Sequence, residues 1–329
     1  MTQPSDIEEL TAALRADMTR VWDLILAERD ALLTAWPDLP VAVRSHRLAT
    51  FQVQILRLID DVDGTAAATV TQAMTTAYQT GAWATALTGL VDPTFTAISS
   101  SAVAGLAKTT TDDLLAATQG VRESVKDLVR ALSRDELLRV MYTGVTPQDA
   151  ARHLRRALEG HGLHAVTYAD GRKVGLATYA EMVLRTKSAE AYQTGGLDQG
   201  EALGWEWWEI MDGVDCGLTS HDDPVKANGM IVRLEVAREH PLAHPQCRRS
   251  SSPRPDLMSA EDAANATPLN PEAVAAIHAE AVARAKTPTV MPDPSKVTSP
   301  ATVATPVVKA KRTIARATPV TPVKGPSRP

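Results

Sequence analysis

Apolar side chains recur every three or four residues across most of the first 142 positions of the chain. In the first segment, residues 6–36, this pattern is carried by Leu10, Leu14, Met18, Val21, Leu24 and Ile25. Such spacing lines one face of an α-helix, whereas side chains in a strand alternate with a period of two. The sequence therefore predicts a long, mainly helical N-terminal half.

Helix-breaking residues divide this region into separate predicted helices. Proline removes a backbone donor and glycine is conformationally free, so both predict interruptions. The expected breaks lie at Trp36-Pro37-Asp38, Asp60–Gly64, Asp92-Pro93 and Gly120. The predicted helices cover residues 6–36, 41–59, 65–90, 93–119 and 120–142. Catalytic side chains do not concentrate in residues 1–145, so we expect a helical scaffold or an oligomerisation arm there.

The pattern changes after residue 145, where residues 146–255 predict a small α+β module. Thr146, Pro147 and Asp149 form a helix start signal, because a capping hydroxyl precedes a proline at the first helical position. This helix is expected to end near Gly160.

A β-hairpin and a sheet are predicted within the same module. His164–Tyr168 alternates like a strand, and Asp170-Gly171 is a strong hairpin turn before Arg172–Val174. A helix follows over residues 177–194, is interrupted at Gly195-Gly196, and resumes briefly to Leu203. Two further strands are expected, at Trp205–Ile210 and Met230–Leu234. The fold class is therefore α+β.

The remaining residues, 256–329, predict a Pro/Thr/Lys-rich tail with one short helix near 270–286. After that helix the chain has too little apolar surface to offset the entropy of ordering, so we expect disorder. Residues 286–329 carry a net charge of +7, although the whole chain carries −5. A basic tail of this kind either contacts a polyanion or an acidic protein surface, or is simply solvated.

Cysteine content and hydropathy limit where the chain is expected to act. Two cysteines are too few for the disulfide framework of a small secreted domain. The first residues lack the basic and apolar segments of a signal peptide. No segment has the run of about 18 apolar residues that spans a bilayer. We expect production in a reducing cytoplasm and no membrane partner.

Two short loops contain the residues that are best suited to bind a metal ion. Cys216 and His221 are separated by four residues, and His244 and Cys247 by two. Each pair can bind one ion from a tight loop, and together the four would form a closed tetrahedral zinc site that stabilises a small domain. His240 is a spare candidate. Two alternatives remain: buried cysteines beside hydrogen-bonding histidines, or a disulfide.

The same region contains the residue types of a metal-dependent nuclease. These residues are Asp212, Asp215, His221, Asp222 and Asp223. A closed site with four protein ligands leaves no position for a substrate. The sequence also lacks a phosphate-binding glycine loop, a His-Glu-x-x-His motif and a Gly-x-Ser-x-Gly elbow. We therefore expect no enzymatic activity, and no catalytic residue is assigned.

Four motifs between Tyr179 and Pro255 occur in a characteristic order. They are a helix with Arg185-Thr186 that ends at Gly195, the loop Asp212–Gly217, His221-Asp222-Asp223 with Ala227-Asn228-Gly229, and His244–Arg249 followed by Pro253. This segment resembles the C-terminal module of phage Mu F-type minor head proteins. Many members of that family have a second cysteine in each of the two cysteine motifs. Here both are missing, and His221 lies where it can substitute.

The resemblance implies a minor head or capsid assembly protein of a tailed bacteriophage. Such a protein is expected inside the virion head near the portal, and in the host cytoplasm during assembly. Its expected partners are the portal protein, the major capsid or scaffold protein, and packaged DNA through the basic tail; ejection with the DNA is also open. The N-terminal helices are expected to bind head proteins or to oligomerise. The alternative is a metal-dependent nuclease or a zinc-stapled DNA-binding protein.

Overall fold

The computed structural model describes residues 5–142 and 173–286, with residues 149, 152, 154–156, 165–167, 289 and 291–293 in addition. The backbone divides into two compact units. The first consists of Met1–Met18, Val62–Leu114 and Ala180–Pro306, and the second of Thr19–Asp61, Leu115–Tyr179 and Val307–Pro329. The predicted domain boundaries at residues 145 and 255 were based on changes in sequence composition, and these compact units do not test them. They stay a prediction.

Three long helices form the N-terminal half, as predicted. They are α1 (Ser5–Ala35), α2 (Val41–Thr88) and α3 (Ala97–Tyr142), with a 3₁₀ turn at Trp36–Asp38. The predicted breaks at Trp36-Pro37-Asp38 and Asp92-Pro93 are therefore confirmed.

The predicted breaks at Asp60–Gly64 and Gly120 are wrong, because α2 and α3 run through both positions. A glycine inside a helix costs only about 1 kcal/mol relative to alanine. The apolar stripe continues past Gly64, with Ile59, Val62 and Ala66 all buried. The burial of this stripe outweighs the local preference of one residue.

The sheet of the first unit has three antiparallel strands in the order β4-β3-β5. In the chain, β3 is Trp207–Met211, β4 is Ile231–Arg233 and β5 is Ser250–Pro253. The first two match predicted strands. The third was not predicted, because a serine-rich segment has low strand propensity. It pairs with the central strand over Trp208↔Pro253 to Met211↔Ser250, so backbone hydrogen bonds override that propensity.

A cluster of apolar side chains forms the core under this sheet. Its buried members are Leu197, Trp208, Ile210, Ala227, Val232, Leu234 and Ala237. They come from β3, β4, the short helix α5 (Leu234–Glu239) and the long helix α4 (Leu176–Ala202), except for Ala227, which lies in the loop before β4. The Trp208 ring lies directly against Gly200 of α4, where an added Cβ would be 2.3 Å from the ring.

Helix α4 is continuous, so the predicted interruption at Gly195-Gly196 is wrong. These glycines serve helix packing instead. A Cβ at Gly195 would lie 2.0 Å from the carbonyl oxygen of Tyr78, and one at Gly81 would lie 1.9 Å from that of Tyr192. Only residues without a side chain allow α2 and α4 to touch backbone to backbone.

In the second unit, β1 (Ala165–Thr167) and β2 (Lys173–Gly175) pair in antiparallel register, as the predicted hairpin requires. The predicted turn at Asp170-Gly171 lies outside the described residues. Of the helix predicted from Thr146 to Gly160, the described residues 149, 152 and 154–156 are helical; its capping residue Thr146 and its end lie outside them.

The chain after the sheet forms α6 (Ala260–Ala264) and α7 (Pro271–Ala285). The second is the helix predicted near 270–286. Asn270 caps it by accepting a hydrogen bond from the Glu272 amide, and Pro271 occupies the first turn. The tail was predicted to be disordered from Thr287 onward, and residues 294–329 of it lie outside the described residues. Among the described helices, none combines the length and the hydropathy needed to cross a membrane.

Candidate metal-binding site

The register of the sheet brings the two chemically interesting loops together. Strand β3 ends at Met211 and β5 begins at Ser250, and these two residues are paired. The loop that starts at Asp212 therefore lies beside the loop that ends at Arg249. The candidate site forms where these loops meet at the end of β3.

A buried ion pair joins the two loops. The Nε atom of Arg249 lies 2.8 Å from a carboxylate oxygen of Asp212, and the two side chains are 0% and 1% exposed. The remaining N–H groups of Arg249 donate to the carbonyls of Gly217, Leu218 and His240. A buried charge is tolerated only when it is paired and hydrogen-bonded in this way. Sequence reasoning missed the role of Arg249, although the residue lies two positions after the His-Pro-x-Cys motif.

Tight turns fix the position of Cys216. Its amide donates to the carbonyl of Gly213, and its own carbonyl accepts from the amide of Ala227. The next residue, Gly217, has no room for a side chain, because a Cβ would lie 2.3 Å from the Ser220 carbonyl oxygen. Cys216 is consequently buried and held by backbone contacts on both sides.

The second loop places its two candidate ligands at the ends of one turn. The Cys247 amide donates to the His244 carbonyl at 3.1 Å. Pro245 occupies the second position and Gln246 the third, with φ at +61°. This is the pattern of a type II turn, which normally has glycine at the third position. The turn brings His244 and Cys247 towards the same side of the loop.

The structure brings Cys216 into reach of each of the other three predicted ligands. The ligand atoms of Cys216, His221 and His244 all lie within 4.8 Å of one another. Those of Asp212, Cys216 and Cys247 form a second group with the same limit. Both cysteines are free thiols. Among the described residues, His240 belongs to neither group; its carbonyl binds Arg249 instead.

The imidazole of His244 is oriented by its own loop. Its Nδ1 lies 2.8 Å from the carbonyl oxygen of Pro245. Because a carbonyl oxygen only accepts, Nδ1 of the neutral ring carries the proton and Nε2 presents a lone pair. That Nε2 lies 3.6 Å from the Cys216 sulfur. The His221 ring stacks on His244, with centroids 4.0 Å apart.

Burial and the neighbouring Asp212 carboxylate raise the pKa of the Cys216 thiol to about 11. In the metal-free protein, this thiol is therefore protonated at neutral pH and donates to the His244 ring. With a metal ion the same sulfur would be a thiolate ligand.

Two of the carboxylates considered for a nuclease hold their own loops. Asp212 binds Arg249 and the Gly213 amide. Asp223 accepts hydrogen bonds from Thr219 and from the Val225 amide, and these bonds keep the pKa of its carboxyl below the usual value. Both carboxylates serve structural contacts.

Comparison with known protein families identifies the class of protein to which this chain belongs. A family model described as phage minor capsid protein 2 matches residues 42–212, which is more than half of the chain. The chain belongs to the phage minor capsid protein 2 family. Searches of curated proteins and of solved structures gave no significant match. This minor capsid protein is thus a component of a bacteriophage capsid, as the resemblance led us to expect at the level of a minor capsid family.

The matched region covers α2, α3, β1, β2, α4 and β3 and ends at Asp212. Cys216, His221, His244 and Cys247 all lie beyond it. The family match therefore bears on the helices and the central strand, and the ligand cluster depends on the geometry of this chain alone.

Proposed function

We propose that this minor capsid protein is a Mu F-type head-morphogenesis protein that joins the head of a tailed phage next to the portal. The family match over residues 42–212 supports the minor capsid role within this proposal, because it includes most of the helical half and the start of the sheet module. The motifs from Asp212 to Arg249, in the order described above, support the Mu F-type assignment.

An exposed apolar end on the first unit supports a role in binding another head protein. We define the exposed apolar end as Leu90, Val91 and Ile98, whose exposures are 92%, 40% and 59%. These residues lie where α2 ends and α3 begins. Exposed apolar side chains that form a patch are typical of protein interaction sites.

The backbone at Leu90 strengthens this interpretation. The amides of Leu90 and Val91 donate to the carbonyls of Leu87 and Ala86, which is the Schellman pattern of a helix end. Glycine usually occupies the left-handed position in that motif, but here Leu90 has φ at +56°. A leucine in this place costs local stability and exposes its side chain, and both costs are offset if the side chain contacts a partner.

The sharpest test is incorporation into heads. A Leu90→Asp variant should be absent from purified procapsids, whereas Met258→Asp, at a residue that is 86% exposed elsewhere, should be incorporated normally. Cross-linking mass spectrometry of wild-type procapsids should join the protein to the portal protein. Equal incorporation of both variants, or cross-links only to distant capsid shell proteins, would contradict the proposal.

The basic tail is proposed to contact packaged DNA through its phosphates. Its net charge of +7 over residues 286–329 predicts binding without sequence preference and with strong dependence on salt. The full chain should lose about 10⁴-fold in DNA affinity between 50 and 200 mM salt, as estimated from counterion release at about seven phosphates. A chain truncated after Asp293 should lack this salt-dependent binding. Retention of binding by the truncated chain would contradict a role of the tail.

We also propose that the protein is not an enzyme. The hydrogen bonds of Asp212 and Asp223 support this proposal. Both carboxylates already bind groups of the surrounding loops, so neither is available to activate a water molecule on a metal ion. Incubation of the protein with DNA in Mg²⁺, Mn²⁺ or Zn²⁺ should give no cleavage. Cleavage that disappears in His221→Ala would establish the nuclease alternative.

A further inference from the structure

The cluster at the end of β3 combines donors that rarely meet by chance. Two cysteine sulfurs and two imidazoles come from loops 28 residues apart at Cys216 and His244. Sulfur and imidazole nitrogen are the donors that zinc prefers in closed structural sites. The residues also come from two loops that a bound ion would cross-link.

One distance in the cluster matches an edge of a zinc-centred tetrahedron. Zinc–sulfur bonds of about 2.3 Å and zinc–nitrogen bonds of about 2.0–2.1 Å require a sulfur–nitrogen separation of about 3.6 Å. The Cys216 sulfur and His244 Nε2 are 3.6 Å apart. The two groups of ligand atoms within 4.8 Å share only Cys216, so a four-ligand site requires side-chain rotations that bring Cys247 towards the two histidines.

We propose that Cys216, His221, His244 and Cys247 bind one structural zinc ion. His244 already has the required form, since its Nδ1 donates to the Pro245 carbonyl and its Nε2 faces the Cys216 sulfur. An outer hydrogen bond of this kind is the usual partner of a zinc-bound histidine. The stacked ring of His221 supplies the second imidazole from the exposed side of the site.

Cys247 rather than Asp212 is the fourth ligand. One carboxylate oxygen of Asp212 binds Arg249 and the other accepts from the Gly213 amide, each at 2.8 Å. The Cys247 sulfur is buried and lies 3.8 Å from both of these oxygens. Two thiolates neutralise Zn²⁺, and Asp212 and Arg249 neutralise each other, so the buried region carries no net charge.

The architecture indicates why such an ion would be structural. The cluster lies in two loops that border a three-stranded sheet, and the two thiols are the most buried of its ligands. Four protein ligands close the coordination sphere, so the ion would cross-link the loops rather than bind a substrate.

The test uses the purified full-length protein. Elemental analysis should find about one zinc per chain. X-ray absorption at the zinc edge should show two sulfur ligands near 2.3 Å and two nitrogen ligands near 2.0 Å. His244→Ala should lose the metal, whereas His240→Ala, in the same segment but outside the cluster, should retain it.

The two alternatives give different results. A protein that lacks metal, does not take up added Zn²⁺ and shows two titratable thiols would overturn the proposal in favour of a hydrogen-bonded cluster. A Cys216–Cys247 disulfide, seen by mass spectrometry in freshly purified protein, would also overturn it. One sulfur and three lighter ligands at the zinc edge would overturn the assignment of both cysteines as ligands. Because the X-ray absorption is measured on the unmodified chain, misfolding of a variant does not affect this test.

Discussion

Arg249 and Asp212 form an ion pair at 2.8 Å in which both side chains are almost completely buried. They belong to the two loops that carry the cysteines and histidines of the candidate site. The guanidinium also binds three backbone carbonyls, so a single side chain connects the end of β3, the Cys216 loop and the segment near His240. The approach of the ligands therefore depends on this pair.

Arg249→Met should destabilise the first unit by about 3–5 kcal/mol, because it leaves the Asp212 carboxylate buried without its partner. Urea denaturation followed by tryptophan fluorescence would measure the loss, since Trp208 lies in the adjacent core. The neighbouring residue Arg248 is exposed and provides the control. Arg248→Met should change the free energy of unfolding by less than about 0.5 kcal/mol, the range estimated for surface positions. Equal effects of the two substitutions would show that the ion pair does not hold the loops.

Gly195→Ala should destabilise the protein by about 1–3 kcal/mol, because the new methyl group would collide with the Tyr78 carbonyl and push α2 and α4 apart. Gly64→Ala, at a glycine inside the partner helix α2, is the matched control. Nothing lies within 4 Å of a Cβ at that position, so this change should stabilise the protein by about 0.5–1 kcal/mol. In thermal denaturation, the melting temperature should therefore fall for Gly195→Ala and rise for Gly64→Ala. A neutral Gly195→Ala would contradict the backbone contact.

Leu90→Gly should stabilise the isolated protein by about 0.5–1 kcal/mol, because glycine adopts the left-handed conformation at this helix end without steric cost. The same substitution should weaken incorporation into procapsids, because it removes the most exposed apolar side chain of the exposed apolar end. Denaturation and incorporation assays on one variant would measure both effects. If the variant is more stable but is incorporated as well as the wild type, Leu90 is not part of the proposed interface.

His278 predicts a dependence of stability on pH. Burial in α7 lowers the pKa of this imidazole below its usual value of about 6.5, and its ring lies 5.4 Å from that of Tyr192. Below pH 6.5 the unfolded chain therefore binds a proton more readily than the folded protein. This contribution to stability is present above pH 6.5 and is lost as the pH falls towards the folded-state pKa.

Denaturation curves at pH 8 and pH 5.5 would measure that loss. His278→Gln should reduce the difference between the two curves, whereas His46→Gln, at an exposed position of α2, serves as the control for loss of an imidazole elsewhere. An unchanged difference in His278→Gln would assign the pH dependence to other groups.

Local patterns in the amino-acid sequence were sufficient for the helical N-terminal half, two of the sheet strands and helix α7. Three- and four-residue spacing, alternation and capping residues act over a few neighbours, so they can be recognised without tertiary structure. The candidate ligands were found in the same way, because Cys216 with His221 and His244 with Cys247 are pairs within single loops.

Contacts between distant segments decided the rest. Gly64 and Gly195 look like helix ends when only their neighbours are considered, yet burial of a continuous stripe and backbone contact with Tyr78 keep both inside helices. A serine-rich segment became β5 because the edge of β3 offered it hydrogen bonds. The pairing of Met211 with Ser250 then set Asp212 against Arg249, a contact 37 residues apart in the chain that no local pattern encodes.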